Sequence, residues 1–203
     1  MNTQIIAILR GIRPPEAVDI GAALVDAGIG RLEVPLNSPE PFASIRLLAD
    51  RFGEMAEVGA GTVVDVGDVA KVKAAGGVLV VSPNANPAVI AATKAAGMAS
   101  YPGVFTATEC FAALAAGADA LKLFPASLLG IDGLKALRAV LPAGTPLYAV
   151  GGVGAGDFAQ WLAAGVAGFG IGSALYKPGM TAAEVGARAR DLVAAWERAT
   201  GGA

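Results

Sequence analysis

The most restrictive feature of this 203-residue sequence is that it contains no histidine. Without an imidazole, the chain cannot build the Ser-His-Asp or Cys-His arrangements of nucleophilic enzymes. The usual histidine-containing zinc sites are excluded as well. The single cysteine, Cys110, rules out an internal disulfide, and with no histidine to activate it, we interpret it as a small buried side chain. Acid–base chemistry must therefore come from Asp, Glu, Lys or Tyr, and no tight transition-metal site is expected.

Charged residues and long apolar runs are also scarce. Only 16% of the residues are charged and the net charge is −2, so the clustered cations that nucleic-acid binding requires are missing. Apolar residues make up 55% of the chain, yet no uninterrupted run reaches the ~18 residues of a membrane span. The stretch Met1–Gln4 lacks the basic region of a signal peptide. We therefore expect a soluble, cytoplasmic protein that binds neither nucleic acid nor membrane.

Eight short apolar segments recur along the chain, separated by helical patterns rich in Ala, Leu, Lys and Glu. Continuous apolar runs of this kind are typical of strands that are buried on both faces of a parallel sheet. The helices are predicted to end at Gly28, Gly76, Gly97, Gly117 and Gly165, and N-caps are predicted at Asp65, Asn86, Thr106 and Asp157. The predicted strands are Ile5–Leu9, Arg31–Pro35, Glu57–Gly61, Val78–Val81, Ala99–Pro102, Ala120–Phe124, Pro146–Val150 and Gly168–Gly172.

Eight strand–helix units without a long linker predict one α/β domain over residues 1–203, a single (β/α)8 TIM barrel. A doubly wound open sheet is the alternative, but no G-x-G-x-x-G fingerprint follows the first strand. Active sites of such barrels lie at the carboxyl ends of the strands. The residues at those ends are Arg10, Glu33, Thr62, Ser82–Asn84, Pro102–Gly103, Lys122, Gly151–Gly152 and Gly172–Ser173.

Lys122 is unusual because it lies between Leu121 and Leu123 in a predicted buried strand. Burial disfavours the ammonium form, and a lysine that is neutral near pH 7 can attack a carbonyl carbon. The alternative is a lysine whose stem packs along the core while its amine reaches water.

Three further side chains at the strand ends each have two interpretations. Glu33 suits a general acid–base role, or it forms a structural ion pair with Arg10 or Lys122. Arg10 suits bidentate binding of a carboxylate or phosphate, or it is a surface residue of a loop. Thr62 suits binding of a substrate carboxylate through its hydroxyl, or it simply completes a tight turn.

Two glycine turns follow the last two predicted strands, in Val150-Gly151-Gly152-Val153 and Gly170-Ile171-Gly172-Ser173. Glycine lets backbone N–H groups approach an anion closely, and barrels often bind phosphate at this location. Together the turns indicate a phosphorylated substrate.

The motifs as a set resemble the bacterial 2-keto-3-deoxy-6-phosphogluconate aldolase family, class I Schiff-base aldolases with a (β/α)8 barrel. The similarity runs over essentially the whole chain. It includes Ile6–Gly11, Glu33–Ser38, Gly59–Val63, Ser82–Asn84, Pro102–Gly103, Thr106–Glu109, Leu121–Ala126 and Ala149–Val153.

The resemblance implies a set of roles. Lys122 would form the Schiff base with a pyruvoyl carbonyl, and Glu33 would carry protons. The substrate, a phosphorylated sugar acid that yields pyruvate and glyceraldehyde 3-phosphate, would be held by Arg10, Thr62, Asn84, Phe124, Val150, Gly151, Gly152, Gly172 and Ser173. No metal or cofactor would be required, and a homotrimer would be expected.

Asn37 bears on the substrate. Members that act on the gluconate epimer usually carry an arginine four residues after the glutamate, where this chain has Asn37, and the stretch Glu33–Ser38 resembles the galactonate branch. Activity on the gluconate epimer, or on both, is the alternative. More distant alternatives are a phosphate-binding barrel epimerase or isomerase, and a non-enzymatic anion-binding barrel in which Lys122 and Glu33 form a structural pair.

Overall fold

The computed structural model describes residues 3–201, so both ends of the predicted domain, residues 1, 2, 202 and 203, lie outside the described part. Within it eight of the nine observed strands agree with the predicted ones to within one residue at each end, and the short strand Gly103–Val104 was not predicted. The observed strands are β1 Ile5–Ile8, β2 Arg31–Pro35, β3 Glu57–Gly61, β4 Leu79–Val81, β5 Ala99–Tyr101, β6 Gly103–Val104, β7 Leu121–Leu123, β8 Leu147–Val150 and β9 Gly168–Ile171.

All neighbouring strands are parallel, in the order β5-β4-β3-β2-β1-β9-β8-β7-β6. The two outermost segments, β5 and β6, are separated only by Pro102, which has no N–H to donate to a ladder. The Pro102 carbonyl accepts a hydrogen bond from the Lys122 N–H at 2.9 Å. The nine segments therefore make eight strands of a nearly closed barrel, which confirms the predicted fold class.

Helices follow the strands and form the outer layer. They are α1 Pro14–Asp26, α2 Pro41–Phe52, α3 Val66–Ala74, α4 Pro87–Ala95, α5 Ala107–Ala115, α6 Ala126–Arg138, α7 Phe158–Ala163 and α8 Ala182–Thr200. The five predicted terminal glycines all have positive φ, as helix ends of this type require.

Three of the four predicted N-caps are confirmed. The side chains of Asp65, Asn86 and Thr106 accept hydrogen bonds from the first turns of α3, α4 and α5. Asp157 does occupy the predicted N-cap position of α7, but its side chain makes no capping bond there. A short 3-10 helix, Ala155–Asp157, precedes α7, and the Asp157 carboxylate instead accepts a hydrogen bond from the N–H of Gly154 at 2.8 Å.

Apolar side chains fill both the space between sheet and helices and the interior of the barrel. In the outer layer, Phe158 stacks on Phe169 with ring centroids 4.1 Å apart. Cys110 is buried in this layer, and burial raises the pKa of its thiol to about 11. The interior contains Ile6, Ile8, Leu79, Val81, Tyr101, Ala120, Tyr148 and Val150. The barrel is a packed core rather than a pore, as expected for this fold.

The amino-terminal end of the barrel is closed by polar contacts. Arg31, at the start of β2, donates hydrogen bonds to Gln4 and to the Tyr148 hydroxyl. Arg31 also pairs with Glu57. These contacts tie β2, β3, β8 and the residue before β1 together at this end. Among residues 3–201, no helix combines the length and apolar character needed to cross a bilayer.

Candidate active site

A cavity of about 340 Å³ opens at the carboxyl ends of the strands. Eight of the eleven predicted site residues line it: Arg10, Lys122, Phe124, Val150, Gly151, Gly152, Gly172 and Ser173. A larger apolar groove of about 550 Å³ lies between α2 and α3 on the outer surface, but no strand-end residue contributes to it. Most of the predicted site residues, including Lys122 and Arg10, therefore meet in the smaller cavity.

Lys122 lies in the middle of β7 and points into the barrel. Its neighbours Leu121 and Leu123 pack in the outer core, as the alternation of side chains along a strand requires. Only 7% of Lys122 is exposed, and its Nζ lies 4.7 Å from the centre of the Phe124 ring. Burial lowers the pKa of the amine, Arg10 lowers it further, and Glu33 opposes the shift. The surroundings therefore shift the amine towards its neutral, nucleophilic form.

Glu33 is the third residue of β2 and is buried, with 2% exposure. Burial raises the pKa of its carboxyl to about 7, although the positive charges of Lys122 and Arg10 oppose the shift. Among the described residues, no hydrogen-bond partner contacts Oε2 of Glu33. A carboxyl whose pKa lies near 7 can both donate and accept a proton, as a general acid–base group must.

Gly61, at the end of β3, is a part of the site that the sequence reasoning missed. A β-carbon on residue 61 would overlap the carboxylate of Glu33, coming within 2.6 Å of Oε1 and closer to Oε2. The lack of a side chain at position 61 therefore makes the space for the carboxylate. The glycine-rich stretch Gly59–Gly61 at a strand end was the available signal.

Arg10 lines the cavity from the end of β1 and is exposed. Its Nη1 donates a hydrogen bond to Oδ1 of Asn37 at 2.6 Å. Within residues 3–201, no salt bridge links Arg10, Glu33 or Lys122 to any partner. The alternative in which Glu33 forms a tight structural ion pair is therefore not observed.

Three predicted site residues do not line the cavity: Glu33, Thr62 and Asn84. Glu33 still acts electrostatically on Lys122. Thr62 has φ +57°, a left-handed conformation that is costly for a β-branched residue. Asn84 is exposed, and its segment packs closely on Gly103, where a β-carbon would lie 3.0 Å from the Asn84 nitrogen. The roles predicted for Thr62 and Asn84 remain predictions.

The turn after β8 has consecutive positive φ values, +92° at Gly151 and +77° at Gly152. A β-carbon on Gly151 would crowd the Phe124 ring at 3.2 Å, and one on Gly152 would overlap the Ser127 side chain. The Gly151 carbonyl accepts a hydrogen bond from the Ser127 N–H at 3.0 Å. Only glycine therefore fits without strain at these two positions, and both line the cavity.

The sequence model of the family described as KDPG and KHG aldolase matches residues 1–190. The chain belongs to the KDPG and KHG aldolase family. As a member of this family it is an aldolase, a carbon–carbon lyase, and the resemblance drawn from the motifs is confirmed.

Three similar proteins cover nearly the whole chain. A probable 2-dehydro-3-deoxy-6-phosphogalactonate aldolase of Rhizobium meliloti (strain 1021) is 48% identical over 100% of this chain and 95% of the relative. The 2-dehydro-3-deoxy-6-phosphogalactonate aldolase of Escherichia coli (strain K12) is 45% identical over 96% of this chain and 95% of the relative. A solved structure described as native KDPGal has a TM-score of 0.96 at 44% identity, covering 99% of this chain and 100% of that one.

Proposed function

We propose that this chain cleaves 2-dehydro-3-deoxy-6-phosphogalactonate to pyruvate and glyceraldehyde 3-phosphate through a Schiff base on Lys122. The observation that carries the proposal is the buried Lys122 amine, whose pKa is lowered, at a cavity that also has Arg10 and two glycine turns on its wall. The substrate is inferred from the names of the two relatives at 48% and 45% identity.

The reaction begins with attack of the Lys122 Nζ on the C2 carbonyl of the substrate. The resulting carbinolamine loses water to give an iminium, which withdraws electrons from the C3–C4 bond. Removal of the C4 hydroxyl proton then breaks that bond, releasing glyceraldehyde 3-phosphate and leaving an enamine on Lys122. Protonation of the enamine at C3 and hydrolysis release pyruvate and restore the amine. Covalent catalysis of this kind divides one difficult step into easier ones.

Glu33 is the proton carrier in this scheme. Because Glu33 does not line the cavity, a bridging water would carry the C4 hydroxyl proton to it and return a proton to the enamine. A pKa of about 7 suits both directions of transfer. A positioned acid–base group contributes about 10²–10⁴ in rate. The iminium is the electron acceptor, so the chain's own side chains supply the chemistry without a metal or cofactor.

The wall of the cavity suits the two ends of the substrate. Arg10 on the cavity wall and Thr62, which follows β3, would bind the pyruvoyl carboxylate and nearby hydroxyls. Asn84, which lies beyond β4, would add a polar contact, and Phe124 and Val150 on the wall would cover the apolar part of the pyruvoyl group. The phosphate would bind at Gly151, Gly152, Gly172 and Ser173. A homotrimer in the cytoplasm, with no nucleic-acid or membrane partner, completes the proposal.

The substrate proposal is tested by supplying the galactonate and gluconate epimers separately and measuring pyruvate release. Faster cleavage of the galactonate epimer, abolished in Lys122→Ala, is expected. Equal rates would indicate dual specificity, and faster cleavage of the gluconate epimer would overturn the substrate assignment. Absence of lyase activity on both would overturn the proposed function.

A further inference from the structure

Two loops at the mouth of the barrel are joined by a pair of hydrogen bonds. The loop after β1 contains Arg10 and Gly11, and the loop after β2 contains Asn37 and Ser38. Arg10 Nη1 donates to Asn37 Oδ1 at 2.6 Å, and the Gly11 N–H donates to Ser38 Oγ at 2.9 Å. One bond therefore fixes the arginine side chain and the other fixes the backbone beside it.

The loop that carries Asn37 is itself firmly anchored. The Leu36 N–H donates to the Gly61 carbonyl at 2.8 Å, and the Ser38 N–H donates to the Pro35 carbonyl at 2.9 Å. Ser38 is buried, whereas Asn37 is exposed. Asn37 is thus held on both sides by backbone bonds and presents its amide oxygen from a fixed position.

Arg10 lines two neighbouring cavities. It lines the cavity that contains Lys122, and it also lines a second one of about 400 Å³ that extends towards Tyr176, Lys177 and Pro178. A long, exposed arginine has many rotamers of similar free energy, so restricting it needs a specific contact. The bond to Asn37 is the only side-chain hydrogen bond of Arg10 within residues 3–201.

The partner of Arg10 is a neutral amide, so the guanidinium keeps its whole charge. No carboxylate within the described part of the chain lies at salt-bridge distance from Arg10. That charge acts on both reactive groups, because it lowers the pKa of Glu33 and of Lys122. A carboxylate at position 37 would hold the guanidinium equally well but would neutralise it.

We propose that Asn37 is a positioning residue, which holds the Arg10 guanidinium at the Lys122 cavity while leaving its charge free for an anionic group of the substrate. The inference rests on the proposed function for the identity of that substrate. It does not depend on the epimer that the enzyme prefers.

A double-mutant cycle tests whether Asn37 acts through Arg10. Asn37→Ala should raise KM about fivefold, the effect of losing one ordinary hydrogen bond at an exposed position, with kcat changed less than about twofold. In an Arg10→Ala background the same substitution should change KM less than about twofold. Gln160→Ala, which removes an exposed amide from α7 away from both cavities, should leave KM unchanged. Equal effects of Asn37→Ala in both backgrounds would overturn the proposal.

Asn37→Asp separates positioning from a merely structural role. The substitution keeps an acceptor oxygen for Arg10, so a structural role predicts an unchanged KM. The proposal predicts that KM rises at least about fivefold, because the new carboxylate competes with the substrate for the guanidinium. An unchanged KM in Asn37→Asp contradicts the proposal.

A third readout does not depend on turnover. The pH dependence of Lys122 acylation, measured by mass spectrometry of the labelled peptide, reports the pKa of its amine. In Asn37→Ala, Arg10 loses its hydrogen bond to residue 37 and is no longer held near Lys122. Its charge should then lower the pKa of the Lys122 amine less, so the midpoint of the acylation curve should shift to higher pH. An unshifted midpoint overturns the placement of Arg10 by Asn37. A wild-type protein without lyase activity would instead count against the proposed function, and the labelling result would still decide the role of Asn37.

Discussion

The carboxylate of Glu33 occupies the space that a side chain on Gly61 would need. The two residues lie on neighbouring strands, β2 and β3, whose paired positions include Pro35 with Gly61. The position leaves Oε2 of Glu33 without a hydrogen-bond partner among the described residues and buries the group. The same burial raises the pKa of Glu33 to about 7. Gly61 on β3 thus leaves the space in which the Glu33 carboxylate is buried, and that burial raises the pKa of the proposed proton carrier.

Gly61→Ala should lower kcat about 100-fold, because the new methyl group displaces the Glu33 carboxylate and removes its acid–base contribution. Steady-state kinetics on the cleavage reaction measure the loss. Gly156→Ala is the matched control, since nothing lies within 4 Å of the added β-carbon and its φ is not positive. Gly156→Ala should retain wild-type kcat, and a Gly61→Ala enzyme that also does so would remove Gly61 from the site.

Glu33→Gln should become more stable relative to wild type as the pH rises from 5 to 8. The folded-state pKa of Glu33 is raised from 4.5 to about 7, so its contribution to stability is present below pH 4.5 and lost as the pH rises through 7. Glutamine does not titrate. The difference in unfolding free energy between the two proteins should therefore change by up to about 3 kcal/mol in favour of Glu33→Gln, measured by urea denaturation at both pH values.

Glu109→Gln provides the control for this titration. Backbone hydrogen bonds from Phe105 and Thr106 lower the pKa of Glu109, so its stabilising contribution is lost only as the pH falls below the usual range. Glu109→Gln should thus be destabilised by a similar amount at pH 5 and pH 8. If Glu33→Gln also showed no change between these two values, the raised pKa of Glu33 would be contradicted.

Thr62→Gly should stabilise the protein while weakening substrate binding. The φ of +57° at Thr62 destabilises the folded state by about 1 kcal/mol for a β-branched residue but not for glycine. The midpoint temperature of thermal denaturation should therefore rise. Loss of the hydroxyl should raise KM about fivefold. Thr62→Ser, which keeps the hydroxyl, should retain the wild-type KM. A Thr62→Gly enzyme with wild-type KM would show that the hydroxyl does not bind substrate.

The arrangement of strands and helices could be predicted from the sequence because each barrel strand is a short apolar run with a glycine or cap at its neighbouring helix end. The strand around Pro102 is an exception to this agreement. The apolar pattern predicts a strand that ends at Pro102, whereas the observed chain continues as β6 beyond Pro102, whose missing N–H separates β6 from β5. Asp157 lies at the predicted N-cap position of α7, but a 3-10 turn precedes the helix and the carboxylate bonds to the Gly154 N–H instead. Composition alone does not indicate such a turn.

Part of the candidate site could be predicted, because the carboxyl ends of barrel strands converge on one cavity. That rule brought Arg10, Lys122 and the glycine turns to one cavity. The glycine-rich stretch Gly59–Gly61 marked the place, but the contribution of Gly61 depends on the register between β2 and β3 and on the direction of the Glu33 side chain, which the stretch does not specify. The bond between Arg10 and Asn37 joins loops of different strands, and neither sequence spacing nor periodicity specifies such a contact.

The central claim is that Lys122 forms a Schiff base with a pyruvoyl carbonyl, and reductive trapping tests it most directly. The protein is incubated with pyruvate and borohydride, with EDTA present, and the modified peptide is mapped by mass spectrometry. The proposed mechanism predicts a pyruvate-dependent stable adduct on Lys122, still formed in Glu33→Gln and absent in Lys122→Ala. An unmodified Lys122, or an adduct that forms only on other lysines, would contradict it.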